Sequence, residues 1–291
     1  MPGRGPGARQ GEAGLPIFAV DSASTVTPQV WDDVRQAAGT APSAWFRYIG
    51  GRYAATAAEV AFLHAQGCAV GLIYNAATAS QVAGGHAQGE ADAEQAAAAA
   101  HALGAPSTLM LFVDVESAWQ PSAAWIEGWA DGQRAGPFAG AGAYYCNPRS
   151  TGFRHAFSCA RACSANVAAA PLWSAVPEPG ATTAAAAPPW RPATVDGQPV
   201  VAWQYAESAY GGIVDLDLVE DGFTGLWRPA ADPRFTDVPT SAAFAPAVAG
   251  AIQAGLMDGV AGGRFAPAAI ASRADLAAVA ARLARRAGWI P

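Results

Sequence analysis

Eight short apolar runs alternate with helical stretches between residues 15 and 219, and no other feature constrains the fold of this chain as much. The runs cover 17–21, 45–49, 70–74, 109–115, 141–145, 170–174, 200–205 and 213–218. Each is rich in Val, Ile, Leu, Phe or Tyr, and such side chains suit the pleated, half-buried surface of a strand. The stretches between them carry helix signals. Thr27-Pro28 places a capping hydroxyl before a proline at the first helical position of 27–38. Thr56 with Glu59 three residues later is a capping-box pattern for 56–66, which stops at Gly67. An alanine-rich helix is expected over 90–103, with acids in its first turn, and two more over 122–135 and 150–162. The segment 177–199, full of Ala, Pro and Thr, reads as a long irregular connection. Alternation repeated this often predicts a parallel sheet with helices outside it. Eight strands within about 200 residues fit an irregular TIM-like (β/α)8 barrel. No Gly-x-Gly-x-x-Gly follows the first strand, which argues against a dinucleotide fold.

The chain has 291 residues, enough for one barrel and a small appendage. Its texture suggests a leader at 1–14, the barrel at 15–228, a Pro-rich joint at 229–234 and a second unit at 235–291. The leader is rich in Gly and Pro with two arginines, and no signal peptide is visible in it. It is either a disordered lead-in to the first strand or a segment whose export signal lies elsewhere. No apolar stretch reaches the roughly 18 residues of a membrane span. The net charge of −6 comes from 17 basic and 23 acidic residues without long runs. That excludes a phosphate-tracking basic face, so nucleic acid is not an expected partner. Cys68, Cys146, Cys159 and Cys163 show no zinc-ligand spacing, and no cofactor or metal is expected. Cys159 and Cys163 share a helical face, where a disulfide is one alternative and plain thiols the other. His64, His86, His101 and His155 show no partner pattern and receive no role.

The strongest chemical signal is Leu111-Phe-Val-Asp-Val-Glu-Ser117. Residues i and i+2 on a strand face the same side, so Asp114 and Glu116 project together, about 6.6 Å apart along the strand. Burying acids in so apolar a run costs several kcal/mol unless they are paired, hydrogen-bonded or neutral. At the mouth of a barrel such a pair supplies what glycoside hydrolysis needs, one acid protonated and one ionised. The alternative is that these acids cap the next helix or hold a buried arginine. Asp21 ends the first strand, Asp215 and Asp217 repeat the i, i+2 spacing on the last, and Trp203-Gln204-Tyr205 ends the seventh. Tyr48, Tyr74, Tyr145 and Trp173 stand near the ends of other strands. Parallel strands in a barrel would bring all these ends to one mouth. An aromatic-walled acidic cleft suits a sugar chain, whose apolar faces stack on rings while its hydroxyls seek acceptors.

The set Phe18-Ala-Val-Asp21, Tyr48-Ile-Gly-Gly51, Val113-Asp-Val-Glu116, Trp203-Gln-Tyr205 and Val214-Asp-Leu-Asp217 resembles the glycoside hydrolase family 25 lysozymes. It is more similar still to their glycoside-hydrolase-like relatives of domain of unknown function 1906, over roughly residues 15–226. The resemblance implies a TIM-like barrel acting on peptidoglycan or a related wall glycan. It also implies that Glu116 is the general acid, that Asp114 stabilises positive charge or orients substrate, and that Asp21 and Asp215 assist.

The second unit resembles an S-layer homology module through Phe235-Thr-Asp-Val238, Ala251-Ile-Gln-Ala-Gly-Leu-Met-Asp-Gly259, Gly263-Arg-Phe-Ala-Pro267 and Ser272-Arg-Ala-Asp275. Two helical stretches, 243–254 and 273–286, flank a Gly-rich turn at 259–263. The resemblance implies binding of a secondary wall polysaccharide, with Arg273 as its anion partner. Arg273 paired with Asp275 or Asp258 is the alternative. Two functions follow: an extracellular, wall-associated glycosidase, or a protein that holds wall glycan in the same cleft without cutting it.

Overall fold

The computed structural model describes residues 16–140, 142–229, 237–238, 247–248, 251, 256–257 and 264–286. The expected leader and most of the expected helix at 243–254 lie outside these residues. All eight expected strands are present, with ends within three residues of those expected. They are β1 (Ile17–Ser22), β2 (Ala44–Ile49), β3 (Ala69–Tyr74), β4 (Leu111–Val115), β5 (Ala143–Cys146), β6 (Leu172–Ala175), β7 (Val200–Ser208) and β8 (Val214–Val219). They close into a barrel in chain order.

The helices begin where the caps direct. Thr27 accepts a hydrogen bond from the Val30 N–H at the start of α1 (Pro28–Ala38), and Gly39 closes that helix in a left-handed conformation. Thr56 and Glu59 form both halves of the capping box of α2 (Ala57–Ala65). After the short α3 (Ala79–Val82) come α4 (His86–Ala102), α5 (Ala123–Ala135), α6 (Thr151–Cys163) and α7 (Ala165–Ala169). Between β6 and β7 only one 3₁₀ turn, Ala184–Ala186, interrupts the irregular connection.

The last strand corrects the expectation of eight parallel strands. Strands β1 to β7 pair in parallel, whereas β8 runs antiparallel to both β7 and β1. The physical reason is length: only residues 209–213, including the single turn α8 (Ala209–Gly212), join β7 to β8. A parallel return needs a crossover of a dozen or more residues, so these two strands form a hairpin. Ser208, Tyr210, Gly211 and Gly212 all take positive φ to make the turn.

Alternation along the strands divides the core in two. Val20, Trp45, Val70, Leu72, Leu111, Val113 and Leu216 face outward against the helices. Ala19, Ala44, Phe46, Ala69, Ile73, Phe112 and Trp173 fill the barrel, which Phe223 and Leu226 close at the other end. Phe46 lies 4.2 Å from the Trp173 ring centre, and Phe112 sits edge-on to both. Gly71 makes room for this layer, since a Cβ there would stand 2.0 Å from the Phe46 ring. The interior is therefore a packed core with chemistry only at its open end.

Beyond the barrel, the expected helix 273–286 is present as α9 (Arg273–Arg286). Ser272 caps it: its backbone N–H and hydroxyl donate to the Asp275 carboxylate, and the Asp275 N–H donates back. Asp237 accepts from the Phe265 and Ala266 N–H groups at 2.7 and 2.8 Å, tying two of the module's sequence motifs together.

Candidate functional site

The inward residues nearest the open end form one acidic cluster. β1 delivers Asp21 and β4 delivers Asp114, with Glu116 just past its end. The antiparallel β8 delivers Asp215 from its beginning, directly opposite Asp21 in the ladder. Asp215 therefore reaches the mouth although it lies at the start of its strand, where a parallel β8 would have buried it at the far end.

Gln204 organises this cluster. Fully buried on β7, it donates through Nε2 to Asp21 Oδ2 at 2.9 Å and to Asp215 Oδ2 at 3.0 Å. Its Oε1 accepts from the Tyr145 hydroxyl at 3.0 Å. The Ser208 N–H at the hairpin turn donates to Asp215 Oδ1 at 2.6 Å. Asp217, one step deeper and fully buried, accepts from Trp173 Nε1 at 3.1 Å, and its Oδ2 meets no donor. A proton on Asp217 solves this, because the group then donates to Asp21.

Burial decides the protonation of these acids. Asp21 is pushed up to about 7, first by desolvation and then by Asp215, against the hydrogen bonds from Gln204 and Asp217. Asp114 is pushed up to about 8 by desolvation, then by Glu116 and Asp21. Its Oδ1 is buried and lacks a hydrogen-bond partner. Asp217 is held far above the ordinary carboxylate range by burial and by Asp21 and Asp215. Asp215 is raised by desolvation, partly offset by the Ser208 N–H. Glu116, by contrast, is exposed.

The aromatic residues divide by face. Tyr48 and Tyr145 are half-buried among these acids, and desolvation, followed by the acids' charge, raises both hydroxyls. The expected Trp173 and Asp217 lie fully buried beneath them, as floor and not as exposed contact surface. Tyr74, Trp203 and Tyr205 are not brought to the mouth. Tyr74 points outward to Gln95 and stacks near Trp129, while Trp203 donates to Val176 O and Tyr205 to Thr183 O. Strand alternation explains all three: Ile73 and Gln204 face in, so Tyr74 after the one and Trp203 and Tyr205 on either side of the other face out.

Residues not anticipated from the sequence also belong to this end of the barrel. Asn75 continues the inward series 69, 71, 73 past β3, and its Oδ1 is buried without a partner. Tyr53, exposed, lies 6.4 Å from the Tyr48 ring with Arg52 beside it. Arg47 faces outward and almost fully buried, binding Glu59 at 3.2 Å, Tyr53 O and Ser22 O. Glu59 also accepts from the Val26 N–H, so one ion pair fastens the loops after β1 and β2 to the start of α2. Among the described residues no His, Cys, Asp or Glu group could hold a metal ion. Cys68 and Cys146 are buried free thiols, and Cys159 and Cys163 are exposed free thiols.

Residues 32–219 match the family described as Rv2525c-like, glycoside hydrolase-like domain. The chain belongs to this family. Residues 234–277 match the S-layer homology domain. The Rv2525c-like barrel is similar to an uncharacterised protein of B. stearothermophilus, 31% identical with a TM-score of 0.68, over 72% of this chain and all of that one. It also shares its fold with the Tat-secreted protein Rv2525c of Mycobacterium tuberculosis, crystallised with L-tartrate. That protein is 16% identical with a TM-score of 0.51, over 72% of this chain and 98% of that one. A family GH25 lysozyme of Aspergillus fumigatus, 15% identical with a TM-score of 0.44, covers 72% of this chain and 96% of its own. No curated protein matches the chain. No helix among the described residues is long and apolar enough to cross a membrane.

Proposed function

We propose that the chain is a lysozyme-like hydrolase of peptidoglycan-like wall glycan, held at the cell surface by its S-layer homology module. The domain plan in this reading is a barrel unit at 15–228, a joint at 229–234 and the wall-binding module at 235–291. The observation that carries it is Asp114, a buried acid at the mouth that keeps its proton to about pH 8, one strand step below the exposed Glu116. Glycoside hydrolysis requires a proton at the leaving oxygen and negative charge against the oxocarbenium ion. Here Glu116 meets the glycosidic oxygen as general acid, and the protonated Asp114 beside it orients the sugar. The Asp21–Asp215 pair, steadied by Gln204, faces the developing positive charge. Tyr48 and Tyr145 give the sugar two hydroxyl-bearing rings. In the module, exposed Arg273 is the proposed anion partner: Asp275 is engaged with Ser272, and Asp258, the other candidate partner, lies outside the described residues.

A second reading has one observation in its favour. Several of these acids retain protons near neutral pH, which makes the mouth a hydrogen-bonding surface that can hold glycan without cutting it. Release of reducing ends from purified wall, compared for the native protein, Glu116→Gln and Asp114→Asn, separates the two. The hydrolase reading expects Glu116→Gln to lose at least about 100-fold and Asp114→Asn less. Equal release by native protein and Glu116→Gln removes Glu116 from its role. Retained wall binding with no release by any of the three favours the binder.

A further inference from the structure

Strand β7 contains an irregularity that brings an extra carboxylate to the mouth. Gln204 opposes Asp217, yet Ala206 opposes Leu216, so the register slips between Gln204 and Ala206. Tyr205 faces outward to Thr183, and Ala206 belongs to the same outer core. Two successive residues on the outer side turn the next one, Glu207, back toward the mouth. Unbroken alternation would send it outward, and bulges beside functional sites re-aim side chains in this way. The electrostatics agree with the geometry, since Glu207 acts on Asp215 and raises its carboxyl. The adjoining turn is held in left-handed conformations at Ser208 and Tyr210, which fixes where Glu207 emerges.

Neither Glu207 nor Asp215 makes an ion pair among the described residues. The cation that acts on Asp21, Arg47, lies on the outer side and is bound to Glu59. In the same mouth Asp114 Oδ1 is buried with no hydrogen-bond partner. Among the described residues these acids therefore have no neutralising side chain at the mouth, and the hydrogen bonds that Asp215 receives come from the neutral Gln204 amide and Ser208 N–H. We propose that Glu207 and Asp215 together receive a primary ammonium group carried by wall glycan, so that the mouth selects glycan with free amines over fully N-acetylated glycan. A cation between the two converts their mutual repulsion into two attractions, while an N-acetyl group there leaves both unpaired. This rests on reading the mouth as a glycan site but does not require cleavage.

The test is direct binding of two probes to the full chain by titration calorimetry: a glucosamine tetramer and an N-acetylglucosamine tetramer. The native protein is expected to bind the amine-bearing tetramer about fivefold more tightly, the effect of a partly solvated ion pair. That preference should weaken with added salt. Glu207→Gln should remove most of the preference and Glu207→Asp should keep it; Glu207 is exposed, so neither change disturbs a core. A third probe, a short peptide ending in a diamino acid with a free ammonium, tells which part of the wall carries the group. Glu207-dependent binding of the peptide places the ammonium on the peptide arm, and binding of the glucosamine tetramer alone places it on the sugar. Equal affinity of the native protein for both tetramers overturns the proposal. So does a preference that survives Glu207→Gln. Because the readout is binding, a protein that shows the preference but releases no reducing ends sinks the hydrolase reading and leaves this one standing.

Discussion

Asp21 and Asp215 face each other as direct partners across the antiparallel β1–β8 ladder, and the Gln204 amide donates to both. Like charges in that position repel. Gln204 makes the arrangement tolerable by offering each carboxylate a buried donor. Gln204→Leu keeps the bulk but removes those donors and leaves the Tyr145 hydroxyl without its acceptor. We expect a loss of about 1–3 kcal/mol in unfolding free energy, read by urea denaturation. The loss should be larger above neutral pH, where the pair carries more charge. A variant as stable as the native protein at alkaline pH would show that Gln204 does not relieve the repulsion.

Stability should fall as pH rises from about 4 to about 8. Asp21 and Asp114 have folded-state values of about 7 and about 8, against roughly 4 for an unfolded Asp. Across that window the folded chain binds more protons than the unfolded one, so unfolding free energy decreases with pH. Below it both states are protonated and the effect vanishes; above it the full cost of buried charge is felt. Asp114→Asn imitates the protonated group and should flatten the slope, recovering stability on the order of a few kcal/mol at alkaline pH. Thermal melts of both proteins across the window decide this, and parallel slopes would count against a proton on Asp114.

Arg47 and Glu59 are a buried ion pair that also anchors three backbone segments. Breaking such a pair on one side strands a charge and costs about 3–5 kcal/mol. Arg47→Met should therefore destabilise strongly, and adding Glu59→Gln should restore part of the loss by removing the stranded carboxylate. If the double variant is no better than the single one, the loss comes from the Ser22 and Tyr53 contacts and not from the uncompensated charge.

Most of the barrel was legible because short apolar runs and capping residues act locally. Thr27, Thr56 and Glu59 each do at their helix starts what their positions in the sequence indicate. The direction of β8 was also legible in principle, since five residues cannot carry a crossover, but counting strands alone concealed it. The acids were found by i, i+2 spacing, which also fixes their common face. The same rule applied strictly would have set aside Trp203 and Tyr205 as neighbours of Gln204, and would have drawn in Asn75. Glu207 was beyond reach of the sequence, because a bulge inverts the alternation and no residue in Tyr205-Ala-Glu207 announces one. Arg47 reads as an inconsistency in an apolar strand until Glu59 is placed beside it in space.

The division of aromatic faces gives a final prediction. Tyr145 presents its ring in the mouth and bonds Gln204, whereas Trp203 is buried on the outer side and donates to Val176 O at 2.8 Å. Tyr145→Ala should weaken binding of wall glycan, since it removes both a contact ring and the support of Gln204. Trp203→Phe loses one buried hydrogen bond and some packing, so it should lower stability by about 1–3 kcal/mol while glycan affinity stays the same. The two readouts together are decisive. A Trp203→Phe protein that folds well but no longer binds glycan would mean that the outer side of β7, and not the barrel mouth, carries the recognition surface.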